Sequence, residues 1–242
     1  APVNGPRGLP LFKPPYGRNP DDPPFSLDFY NHTGPLARTV EDCILLQNVM
    51  SGPHPRDIAT VRPKLTLPTS FGGIEGWKIA YSVDLGIYAV DPEVRRNLET
   101  ALAVFRDLGA TVEAVDLGWD RSCFEAADAY LCHLFGSQMA IHAAAHRDKL
   151  NKYALWFADQ SKNFSAIDFL KSLETAGRMY ASLGPLLERY RLLVCPTTAL
   201  PAVLAVISMP SRMGTPRSKS TGRRSLVPLN IRRCMPRSAI NG

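Results

Sequence analysis

An α/β fold, a mixed β-sheet flanked by helices, is what this 242-residue sequence predicts. Two patterns predict it. Short runs of strand formers alternate with helix-period stretches, and one such stretch lies directly between two strand runs, as in a crossover unit. A third observation bounds the class: 45% hydrophobic and 21% charged residues are globular values, which exclude wholesale disorder.

Residues 1–35 read as loop, because Pro6, Pro10, Pro14, Pro15, Pro20, Pro23 and Pro24 deny the backbone regular bonding. Thr39 is an N-cap, with Glu41 and Asp42 in the favoured first turn. Val40, Cys43, Ile44, Val49 and Met50 are expected as its apolar face, and Gly52-Pro53 ends the helix. After a proline-rich connection over 53–73, Trp77 to Val83 reads as a strand. Asp91, Pro92 and Glu93 open a helix with Val94, Leu98, Ala101, Leu102, Phe105 and Leu108 inward, closed by Gly109. Thr111 to Val115 is the next strand.

Ser122 and Glu125 have the spacing of a capping box. Phe124, Ala127, Leu131, Leu134, Gln138, Ile141 and Ala145 then form one expected helical stripe. A further helix covers Tyr153 to Gln160, and Ser165 and Asp168 cap a third that runs to about Tyr190. Ile167, Leu170, Leu173, Met179 and Leu183 are its expected inner face, with Gly184-Pro185 bending or interrupting it. Leu192 to Cys195 is an apolar run ended by Pro196, the pattern of a buried strand.

The charge is unevenly placed. Residues 211–242 hold eight basic residues and no acid, leaving 20 basic against 22 acidic in the rest. We therefore divide the chain into a body, 1–210, and a basic tail, 211–242, expected to be disordered. The five cysteines are scattered, with no C-x-x-C pair, and read as reduced thiols of a cytoplasmic protein. No apolar run is long enough for a membrane helix.

The search for chemistry finds no G-x-S-x-G, H-E-x-x-H, P-loop or G-x-G-x-x-G. His142 and His146 are four apart and could share a metal, but they fit a helix surface better, so no metal or cofactor is expected. Cys132-His133 are adjacent and cannot face the same way on a helix. Cys195 is either a reactive thiol at a strand end or an inert core residue. Thr197 and Thr198 follow the last strand, where α/β sheets hold ligands. They either face a pocket or cap a turn.

Three stretches carry a resemblance. Phe12-Lys13-Pro14-Pro15-Tyr16-Gly17-Arg18 resembles the "GxKPxxGR" stretch of the amidase signature family. The block from Gly34-Pro35-Leu36-Ala37-Arg38-Thr39-Val40-Glu41-Asp42 to Asp57 is similar to that family's "GPxARTVxDxxxxxxVMxGxDPxD". Leu192 to Thr198 is similar to its late "LLxPTxP" strand. The resemblance implies part of the amidase signature fold and hydrolysis of a small-molecule amide. A Lys deprotonates a bridging Ser, which activates a nucleophilic Ser, and backbone N–H groups hold the oxyanion.

The family's Gly/Ser-rich signature lies upstream of "GxKPxxGR" and has no counterpart in these residues, so no catalytic residue carries over and the chain alone is expected to be inactive. Pocket contributions are expected from Thr197 and Thr198, and from Phe135 and Gln138. A homo-oligomer is open. The alternative is a non-enzymatic protein binding nucleic acid through the basic tail. The absence of aromatic residues from that tail argues against it.

Overall fold

The computed structural model describes residues 10–201. The basic tail and its expected disorder lie outside the described residues. Two compact units divide the chain near Gly73.

The first unit contains the proline-rich segment and helix α1 (Val40–Met50). Thr39 caps α1 as expected, its side chain accepting from the Asp42 N–H at 3.1 Å. The glycines of the two motifs are needed for close approach. Gly17 has φ +75°, and a Cβ there would lie 2.3 Å from the Ala59 carbonyl oxygen. At Gly34 a Cβ would lie 2.0 Å from the Phe12 carbonyl oxygen. The segments are tied by Phe12 N–H to Pro35 O at 3.1 Å and Val61 N–H to Gly17 O at 2.8 Å. The buried Asp57 carboxylate accepts from the Asp21 and Ala59 N–H groups. The motif residues thus build a loop scaffold around α1.

The face of α1 differs from expectation. Cys43, Ile44 and Gln47 are buried, while Val40 and Val49 are exposed. Gln47 can be buried because Asn19 satisfies its amide.

The second unit is a three-stranded sheet with helices. Strands β1 (Lys78–Tyr81), β2 (Thr111–Ala114) and β3 (Leu192–Val194) lie in the order β2-β1-β3, every pair parallel. Ile79 and Ala80 of the central strand are fully buried. Helix α2 (Pro92–Asp107) connects β1 to β2, as the sequence predicts. The Asp91 carboxylate accepts from the Glu93 N–H at 2.8 Å. Leu98 and Leu102 are buried, but Ala101 and Leu108 are exposed. Gly109 closes α2 with φ +87°.

Helix α3 (Ser122–Leu131) begins one step away from the expected capping box. Ser122 is already helical and its side chain caps nothing; the Asp120 carboxylate accepts from the Ser122 N–H at 2.7 Å. Asp120 reaches that N–H from outside the helix, where a cap must sit. The bonds from Ser122 hold its carboxyl below the usual range.

The single stripe expected from Phe124 to Ala145 is broken. A π-helical turn, Cys132–Gly136, separates α3 from α4 (Ser137–His146). Its cause is tertiary: Gly136 packs so closely on α5 (Lys152–Gln160) that a Cβ would lie 2.6 Å from the Phe157 carbonyl oxygen. The inserted turn rotates α4 out of register, and Ile141 is exposed.

Helix α6 (Ala166–Arg189) starts with the predicted capping box of Ser165 and Asp168. Leu183 is buried as expected, with Leu186, Ser172 and Thr175, but Ile167 and Leu170 are exposed. The helix also runs through Gly184-Pro185 without interruption. Its buried face packs on α3, and Trp119 donates its indole N–H to Met179 O at 3.2 Å and Ser182 Oγ at 3.0 Å.

Candidate functional site

All three strands run in the same direction, so their carboxyl ends share one edge of the sheet, where α/β folds place ligands. Three loops leave that edge. The loop after β1 is shaped by short-range bonds: Ser82 Oγ accepts from the Leu85 N–H at 3.0 Å, and the Asp84 carboxylate accepts from the Gly86 N–H at 2.9 Å. Leu85 (φ 53°) and Gly86 (φ 76°) turn the chain back and deliver Tyr88. The Tyr88 ring meets Phe124 of α3 edge-on, with centroids 5.1 Å apart. Burial raises the Tyr88 hydroxyl far above its usual range, with Cys123 and Cys195 adding to the rise. It is therefore a neutral O–H at physiological pH. Cys123 is buried and its thiol is also raised by burial, while Cys195 is half-buried.

The loop after β3 carries Thr197 and Thr198, both exposed. Thr198 Oγ1 donates to Leu200 O at 2.8 Å, so this hydroxyl does bind its own turn and keeps its lone pairs to accept. The loop is anchored by Asp91 N–H to Ala199 O at 2.8 Å.

Phe135 and Gln138 belong to a different cluster. Phe135 sits on the π-turn against Tyr153 and Phe157 of α5, at centroid distances of 6.4 and 5.2 Å. Gln138 bonds His142 at 3.2 Å across one turn of α4. His133 stacks on Phe169 at 4.9 Å. Among the described residues, no three His, Cys, Asp or Glu side chains converge on a metal position. The sequence reading missed Tyr88, Phe124 and Cys123, which meet only through the crossover. Its one available signal was an aromatic residue in the loop after a strand.

The geometry of the motif loops and of the sheet finds its counterpart in known proteins. The Amidase family model matches residues 8–220. The chain belongs to the amidase signature family. An acylamidase of Rhodococcus erythropolis is 27% identical over 176 residues, covering 71% of this chain and 37% of that protein. A glutamyl-tRNA(Gln) amidotransferase subunit of Syntrophus aciditrophicus is 31% identical over 130 residues, covering 50% of this chain and 27% of that one. Among solved structures, a bacterial aryl acylamidase of the family superposes with a TM-score of 0.65 at 26% identity, covering 77% of this chain and 41% of that chain. The 6-aminohexanoate cyclic dimer hydrolase, at 20% identity and a TM-score of 0.65, shares the fold. The chain therefore spans less than half the length of these relatives.

Proposed function

We propose that residues 1–210 are the C-terminal portion of an amide-hydrolysing domain, supplying pocket walls rather than the nucleophile. The observation that carries this is the family match over residues 8–220, set against the 37% of the acylamidase that the chain covers. In this reading the amide lies beyond the carboxyl ends of β1 and β3. Thr197 and Thr198 offer hydroxyls, and Tyr88 offers a neutral O–H that cannot be lost near pH 7. Phe135 and Gln138, from the separate cluster on the π-turn and α4, would supply a second wall, a ring beside an amide. The nucleophilic Ser, bridging Ser and Lys implied by the family resemblance match no stretch of these 242 residues, so this polypeptide by itself turns over no amide.

A small-molecule amide is the substrate class. The four described cysteines form no disulfide, which suits the reducing cytoplasm. No helix among the described residues is long and apolar enough to cross a membrane. The test is an assay of the purified chain with an aryl amide. No release of the amine is the expected result; turnover that persists through successive purification steps overturns the reading.

A further inference from the structure

Helix α1 has the wrong residues outside. Its buried side includes Gln47, whereas Leu45, Leu46 and Val49 lie on the opposite side with 66%, 41% and 72% of their surface exposed. Positions 45, 46 and 49 are spaced i, i+1 and i+4, so they form one continuous stripe. A helix apolar on both faces is a helix with two neighbours. The loop scaffold of the first unit supplies one of them, through Cys43 to the Pro10 carbonyl and Gln47 to Asn19.

We propose that the Leu45–Leu46–Val49 stripe is a docking face for the part of an amidase domain that this chain does not span. That part is an apolar-faced polypeptide, joined to the chain or separate. The occupant is argued from length: the structural relatives are covered over only 41–46% of their chains, and the same fold in them has that much more polypeptide to pack. A charge borders the stripe: exposed Asp42, one turn before Leu45 and Leu46, places a carboxylate at its N-terminal end, where the occupant must offer a polar or basic group. The inference rests on the amidase reading and assigns it a contact surface.

The experiment uses the full 242-residue chain. Its probe is the N-terminal portion of the Rhodococcus erythropolis acylamidase, the part outside the match. That enzyme's own C-terminal portion sets the scale for capture. The wild-type chain is expected to capture the probe, and Leu45→Lys with Val49→Lys to weaken capture by about tenfold or more, as loss of central apolar anchors does. An unchanged melting temperature and circular dichroism spectrum of the double variant show that it still folds, since both side chains are already in water.

Equal capture by the variant, or no capture where the control succeeds, overturns the proposal. Sedimentation of the chain alone gives the remaining arm: a dimer that the two lysines dissociate makes a second copy the occupant and also overturns it. Capture without amide turnover leaves the docking face standing and removes the hydrolase reading.

Discussion

Asn19 and Gln47 hold each other through two hydrogen bonds, at 3.1 Å and 2.7 Å, with both side chains buried. The pair links the proline-rich segment to α1, and a further bond from Asn19 Nδ2 to Thr33 O at 2.9 Å extends it. Replacing Asn19 with Ala strands the Gln47 amide in a dry site, which costs about 1–3 kcal/mol. A urea titration should show a lower midpoint for Asn19→Ala. The double change to Leu at both positions should lose less than Asn19→Ala, because the Gln47 amide is then gone and only the Thr33 carbonyl, freed in both variants, loses its bond. Equal losses would contradict this account.

Gly136 fixes the spacing between the π-turn and α5. The Cβ of Gly136→Ala would collide with backbone, not with a flexible side-chain tip, so one of the two elements must move. We expect a loss of about 1–3 kcal/mol, the usual cost of overpacking. Near-ultraviolet circular dichroism should change as well, because Trp156 and Phe157 stack edge-on at 4.8 Å on the other side of the contact. A variant as stable as the parent would show that the π-turn has another cause.

Acid should weaken the start of α6. The Asp168 carboxyl lies below its ordinary value of 3.8, chiefly through its side-chain bond with Ser165 and then through the Ser165 backbone N–H. A lowered native value means that the unfolded chain binds the proton more readily. The contribution is therefore present above the ordinary value and lost as pH falls through the native one. Ser165→Ala should reduce the slope of stability against pH on the acid limb while costing stability at neutral pH. Matching slopes in the two proteins would exclude the linkage.

At alkaline pH Cys132 contributes before Tyr88, since its ordinary value is the lower. Burial, with the Asp128 charge adding, pushes its thiol from 9.0 up to about 12. The native state keeps a proton that the unfolded chain releases. This contribution is intact below pH 9, declines as pH rises above it and is exhausted near 12. Tyr88 acts in the same direction from its ordinary value of 10.0. Cys132→Ala should flatten the alkaline limb in denaturant titrations made at successive pH values. A limb of unchanged steepness would assign the loss elsewhere.

The parts of the fold legible in the sequence are those decided within a few residues. Thr39, Asp91 and the Ser165–Asp168 pair all cap as their spacing predicts, because a cap bonds an N–H two or three positions away. The strands and the crossover were legible for a similar reason. Apart from the Ser122 capping box, displaced by Asp120 two residues before it, what failed was decided at a distance. The π-turn depends on the Phe157 carbonyl, and the burial of Gln47 depends on Asn19; neither partner is visible to a periodicity argument. Ile167 and Leu170 match a helical stripe yet remain in water, since spacing identifies an apolar side without saying that anything covers it. At the candidate site, Thr197 and Thr198 could be found from the strand before them. Tyr88, Cys123 and Cys195 come from three separate loops and elements, so only the folded sheet brings them into mutual electrostatic reach.

The strand order has a consequence for how this protein is made. β1 is the middle one of the three described strands and the first of these to leave the ribosome, and Ile79 pairs with both Val112 and Leu192. One side of β1 finds its neighbour early, through the short α2 connection. The other side waits while α3 to α6 are translated, its peptide groups bonded only to water or to a chaperone. Pausing between Ala114 and Leu192 therefore lengthens the interval in which a nascent chain offers a bare strand to other chains.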